Sequence, residues 1–146
     1  MKKIKHIFNY MFYMAYIRDE KRWAGSPLLA GILRVSLILN LYLFTIILLH
    51  DIIFKISFIS DTREEILMLV VILTETIVAI VNYFIYGYKK KYLKIIDRYK
   101  QEDEKTRKKN RLIVTLLIIF SLLVMAVLFI VSVQLYKQRH GIIGHF

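Results

Sequence analysis

Cysteine is absent from the 146 residues, proline occurs once and glycine five times. The missing cysteine excludes a disulfide scaffold and leaves the redox compartment unread. Acid is scarce as well, with 11 Asp and Glu against 22 Lys and Arg, a net charge of +11. No glycine-rich phosphate loop occurs, and no GxSxG, HExxH or CxxC pattern. The one GxxG, Gly141 to Gly144, stands in a terminal tail. There is no GxxxG helix-pairing motif and no repeat of the kind that builds an inverted transporter. These absences argue against an enzyme, a cofactor or a metal centre.

Apolar residues are what is abundant. The chain is 58% hydrophobic and 14% aromatic, with a positive mean hydropathy of +0.53. That excludes intrinsic disorder. The charge sits in blocks between long apolar runs, the pattern of a membrane protein. At this length one compact unit is the default.

Residues 112–136 form an uncharged run, LIVTLLIIFSLLVMAVLFIVSVQLY. At about 1.5 Å per residue it exceeds the roughly 30 Å hydrocarbon core. Residues 66–88 form a second span, interrupted by Glu75. One acid costs on the order of +3 kcal/mol, whereas about fourteen strongly apolar residues each return roughly 0.3–0.6, so insertion stays favourable. Residues 26–60 hold a first span with flanks, its core at about 32–54. Ser26-Pro27 is a start signal, and Arg34 near that end can snorkel to the headgroups. Residues 4–17 are apolar and aromatic but too short to cross. They lack the small-residue cleavage pattern of a signal peptide. A short interfacial helix is expected, with Tyr10, Tyr13, Tyr16 and Trp23 at the wet edge. The competing reading is a helix packed into the bundle. The expected fold is therefore an all-α membrane protein, three transmembrane helices plus an interfacial N-terminal helix.

Basic residues set the orientation. Residues 1–31 and the link 89–111 together carry seventeen Lys and Arg. The other connections carry four: Lys55, Arg63, Lys137 and Arg139. With three spans the two rich segments share a side, and the positive-inside rule makes that side cytoplasmic. Segment 1–25 and link 89–111 are then inside, and tail 137–146 is external, in a bacterial cytoplasmic membrane. Membrane contact accounts for the +11 charge, at about 1 kcal/mol per basic residue near an anionic leaflet. Nucleic acid is not an expected partner.

In the link, Tyr92, Ile95, Ile96 and Tyr99 recur with helical spacing and continue a stripe out of the second span. The expected form is two spans projecting past the bilayer, joined near residues 102–106. The stripe and Lys89, Lys90 and Lys91 are candidate contacts for lipid or a partner; the plainer reading is a solvated linker.

Inside the spans, Glu75 shares a face with Ala79, Asn82 and Tyr86. Ser36, Asn40 and Ile47 share one in the first span, and Ser121, Met125, Leu128 and Ser132 one in the third. Aligned span centres put Glu75, Asn40, Thr45 and Ser121 near the midplane, with Thr45 level with Glu75 and Asn40 with Asn82. This cluster (Glu75, Asn40, Asn82, Thr45, Ser121) reads as structural glue or as a proton or cation site. His50-Asp51 lacks a third ligand at useful spacing and reads as two interfacial polar residues.

Two stretches resemble a family of small uncharacterised three-span bacterial membrane proteins. One is Ser26-Pro27 with Ala30, Ser36, Asn40 and Thr45. The other is Tyr92-Leu-Lys-Ile-Ile-Asp-Arg-Tyr-Lys-Gln-Glu before the basic run. The resemblance implies the topology and locale, and a role in shape for Asn40 and Glu102; Glu75 stands outside the shared pattern. The expected function is a small accessory or structural membrane protein, acting through contacts with lipid, with another membrane protein or with its own copies. The alternatives are an oligomeric proton or ion conductor centred on Glu75, and a phage-type lysis protein or membrane toxin.

Overall fold

The computed structural model describes residues 2–22, 25–54 and 64–139, and among them there is no strand. The described residues form five α-helices: α1 (Lys2–Arg22), α2 (Pro27–Phe54), α3 (Glu64–Asn82), α4 (Lys91–Lys100) and α5 (Glu104–Arg139). A π-helical turn, Tyr83–Gly87, and a 3-10 turn, Tyr88–Lys90, join α3 to α4. Three stretches are long and apolar enough to cross a membrane: Pro27–Phe54, Glu65–Lys100 and Glu104–Gln138. Trp23, residues 55–63 and the histidines at 140 and 145 lie outside the described residues.

Local chemistry accounts for the helix starts. Gly25 has φ +145°, a conformation that glycine adopts without strain. The Ala30 N–H then bonds to the Ser26 carbonyl at 3.1 Å, and Pro27 sits where no N–H is needed. Asp103 caps α5 by accepting from the Thr106 N–H at 3.0 Å. Hydrogen bonds from Thr106 hold the Asp103 carboxyl below the usual carboxylate range. No glycine or proline follows Asp103 before residue 112, so α5 runs from the basic link straight into the apolar run.

α2 is the central element. It packs against α1, α5 and α3, whereas α3 and α5 touch at most marginally. α1 closes one end of this fan. It packs on α2, α5 and α4, so the N-terminal helix and the link 89–111 share that end.

The core sits at this end. Tyr10, Met11, Phe12 and Tyr13 of α1 are buried with Ile32, Val35, Tyr86, Ile96, Tyr99 and Val114. Phe12 lies between the face of Tyr86 and the bare backbone of Gly31. Its ring stacks on Tyr86 at 4.6 Å and 6°. A Cβ on Gly31 would stand 2.5 Å from the Phe12 ring. This corrects the placement of Tyr10 and Tyr13 at a wet membrane edge: both are enclosed by the chain's own helices, and Tyr16 is half-buried. Three neighbouring helices bury an aromatic ring more completely than a headgroup layer does.

The unbroken helix expected from the second span into the link is also corrected. Lys89 and Lys90 have φ of 52° and 54°, left-handed for non-glycine residues. That costs roughly 1–2 kcal/mol each. The break sets α4 as a separate helix against α1, where burial of Ile96 and Tyr99 offsets the strain.

Candidate functional site

The three polar faces recognised in the spans all turn inward. Ser36 and Asn40 of α2, Asn82 at the end of α3, and Ser121 and Ser132 of α5 are buried, while Glu75 is half-buried. Together they form a ladder on the two sides of α2.

Between α2 and α3 the ladder has two rungs. Asn40 donates from Nδ2 to Glu75 Oε2. Asn82 donates from Nδ2 to Ser36 Oγ at 2.9 Å. The pairing differs from the aligned-centre expectation by about one helical turn. Asn40 meets Glu75 rather than Asn82, and Asn82 meets Ser36. Thr45 joins neither rung, because its hydroxyl bonds to the Leu41 carbonyl of its own helix at 2.8 Å. Such back-bonding satisfies a hydroxyl in an apolar span without any neighbour.

On the other side of α2, Ser121 and Tyr42 share a hydrogen bond between hydroxyls at 3.1 Å, and Ser121 donates to the Leu117 carbonyl at 2.8 Å. Ser121 therefore belongs to the α2–α5 contact and does not meet Glu75. Tyr42 was not singled out from the sequence. Its membership of the α2 surface is visible only once the register with α5 is known.

Two oxygens of the ladder, Glu75 Oε1 and Asn40 Oδ1, are buried without a hydrogen-bond partner among the described residues. Replacing Asn40 with leucine removes the partner that Glu75 has. The expected loss is about 1 kcal/mol, the scale of a hydrogen bond between membrane helices. Glu75→Gln still accepts from Asn40 through its amide oxygen and stays within about 0.5 kcal/mol. Thermal melts in detergent check both; equal losses would mean that this bond does not hold α3 to α2.

The link carries a second ladder, and it is aromatic. Tyr99 is buried, with its hydroxyl 3.0 Å from His6 Nδ1 and 3.2 Å from the His6 carbonyl. Its ring meets Tyr10 edge-on at 5.2 Å and 88°. The Tyr10 hydroxyl donates to the Arg107 carbonyl at 2.9 Å. Burial, assisted by the charge of Glu102, pushes the Tyr10 phenol up to about 12, so it remains a donor at neutral pH. Tyr16 and Tyr92 lie 5.9 Å apart.

The stripe offered as a docking face is thus covered from within. Ile96 and Tyr99 are buried, and Tyr92 and Ile95 pack against the same core. An apolar stripe on α4 seeks cover, and α1 of the same chain supplies it. Lys89, Lys90 and Lys91 remain exposed, and the ammoniums of Lys89 and Lys91 sit 5.4 and 5.5 Å from the Tyr88 ring. Glu102 braces the turn into α5. Both its oxygens accept from Asn110 Nδ2, at 3.2 and 3.1 Å, and its carbonyl accepts from Arg107 Nη2 at 3.1 Å.

His50 Nδ1 stands 3.9 Å from Asp51 Oδ1. Among the described residues no group of three ligand-type side chains gathers there or elsewhere. The geometry defines an all-helical bundle with three span-length helices, an internal polar ladder and an aromatic end plug. No family model, curated protein or solved structure matches the chain.

Proposed function

We propose that this chain is a small multi-pass protein of the bacterial cytoplasmic membrane that serves as an accessory or structural component. It acts through its helix surfaces on lipid, on another membrane protein or on its own copies, and has no enzymatic activity. The N-terminus and the basic link face the cytoplasm, α1 lies at that boundary, and the tail is external. The charge distribution supports this threading, because α1 and the link 89–111 share one end of the bundle.

One observation carries the reading. Three polar pairs of the ladder are bonded within the bundle, Asn40 to Glu75, Asn82 to Ser36 and Ser121 to Tyr42, whereas the uncovered faces are plain hydrocarbon. On α3 and the turn after it, Ile72, Ile77 and Phe84 are 56%, 60% and 61% exposed. A chain built this way offers surface rather than reacting groups.

The test is a photo-crosslinking residue placed at Phe84, in native membranes. We expect a discrete adduct with one membrane protein or with a second copy, and none from the buried position Val114. Adducts with lipid alone would remove the protein-contact reading. Recovery of the chain in a detergent-free soluble fraction would remove the membrane assignment itself.

A second reading is an oligomeric proton or ion conductor centred on Glu75. It is favoured by the two unpartnered oxygens of Glu75 and Asn40. Flux into liposomes that Glu75→Gln abolishes would establish it.

A further inference from the structure

The plug end of the bundle gathers positive charge in an unusual way. A cavity of about 550 Å³ lies between α1, α2 and α5. Five cations line it: Arg18 and Lys21 of α1, Arg34 of α2, and Arg107 and Arg111 of α5. No carboxylate is among its lining residues. Of the nearby acids, Glu20 and Glu102 are engaged elsewhere, and Asp19 lines the adjoining groove beside Arg18 and Arg34. Glu20 pairs with Lys100 at 4.0 Å, and Glu102 binds Asn110. The ion pairs among the described residues include none of the five cations.

Arg107 and Arg111 stand four residues apart on one helix and repel each other. Arg107 Nη2 is partly satisfied by the carbonyls of Lys100 and Glu102. The other four have no hydrogen bond or ion pair among the described residues. Four of the five are exposed, so water screens much of their repulsion, but an anion in the space would meet several of them at once, and guanidinium forks match phosphate oxygens in pairs.

The surroundings decide what kind of anion. The cavity shares Arg18 and Arg34 with a groove of about 420 Å³. Leu33, Leu37, Ile38 and Ile118 line that groove, together with Asp19. Leu33 and Leu37 are 49% and 60% exposed. Arg34 stands at the start of the third turn of α2, and Arg111 adjoins the apolar run of α5. Cationic space therefore opens onto an apolar channel at the end of the spans.

We propose that this cavity binds the phosphate headgroup of an anionic phospholipid, with an acyl chain lying along the Leu33–Leu37 groove. Arg34 is the hinge of the site, because it borders both spaces. Basic pockets between membrane helices on the cytoplasmic side recognise lipid headgroups in this manner. The site deepens the membrane-contact reading and rests on it.

The test uses the purified full chain in detergent, with native mass spectrometry reading bound lipid. Phosphatidylglycerol is compared with phosphatidylcholine at equal concentration. We expect phosphatidylglycerol to be retained at least tenfold better. Arg34→Gln and Arg111→Gln each weaken retention about fivefold, and together about 25-fold. Neither side chain has a hydrogen bond or ion pair among the described residues, and Arg34→Lys keeps the charge as a folding control. Changing Lys89, Lys90 and Lys91 together to glutamine removes more charge from the same end and is expected to alter retention less than twofold.

Equal retention of the two lipids would overturn the site. So would a loss in the Lys89–Lys91 variant as large as in the pocket variants, which would reveal general surface attraction. Displacement by millimolar inorganic phosphate would assign the cavity to a free anion. A missing protein adduct at Phe84 with lipid retention intact would defeat the protein-contact reading alone.

Discussion

Gly31→Leu should displace Phe12 from its slot and cost about 3 kcal/mol, the upper end of what overpacking a core usually brings. Even the Cβ of alanine would stand 2.5, 2.7 and 3.0 Å from three atoms of the Phe12 ring. The ring cannot retreat, because Tyr86 covers its other face at 4.6 Å and no part of Phe12 reaches solvent. The clash falls where α1 meets α2, so α1 should detach before the spans separate. Limited trypsin digestion in detergent would then cut at Lys21 and Arg22 in the variant and spare the parent. A matching change tests the cause. Phe12→Leu shortens the intruding side chain and should recover part of the loss in Gly31→Ala, a coupling expected only for residues in contact. Additive losses would show that Gly31 is tolerated for some other reason.

Tyr99→Ala should cost about 3–5 kcal/mol, as for other buried aromatics cut back to alanine. Tyr99 is 1% exposed and touches the rings of His6, Tyr10 and Tyr13. Its removal leaves a hole where α4 meets α1. Tyr99→Phe keeps the ring and loses only the hydroxyl contact with His6, a change of about 1 kcal/mol. Thermal melts of the two variants separate packing from hydrogen bonding. Near-equal losses would assign the knot to the hydroxyl rather than to the ring. Hydrogen exchange along α4 gives a second readout, since Tyr99 is its most deeply buried residue and Ile96, Ile95 and Tyr92 would remain to hold it.

The helix faces were legible in the sequence, and the register was not. Spacings of four, seven and eleven put Glu75, Asn82 and Tyr86 on one side of the second span, and the fold turns that side inward. Period alone carries that information. The offset between α2 and α3 depends on how side chains interlock, and no local pattern encodes it. Asn40 therefore reaches Glu75 instead of Asn82. The link stripe shows the same division. Tyr92, Ile95, Ile96 and Tyr99 read plainly as a face that needs cover, but a stripe does not name what covers it. Tyrosine misled for a chemical reason. Its ring and hydroxyl suit a lipid boundary and a buried protein knot equally well, and Tyr10 and Tyr13 took the second. The joint before α5 was legible: the turn expected near residues 102–106 falls where α4 ends at Lys100 and α5 begins at Glu104, because lysine and arginine are good helix formers on either side of it. The cationic cavity was invisible for a different reason. Arg18, Arg34 and Arg107 come from three distant segments, and only the closure of α1 over α2 and α5 brings them together.

The contact between α1 and α5 spans 97 positions, from Tyr10 to Arg107. α1 is synthesised before α5 and is completed only after it. During translation at roughly 5–20 residues per second, the aromatic side of α1 waits on the order of 5–20 s for Tyr99 and Val114 to emerge. Through that interval a nascent chain displays a band of tyrosine and phenylalanine rings at the mouth of the insertion machinery. Arrival of α5 covers that band, so exposed rings mark a chain whose long-range contacts have yet to form.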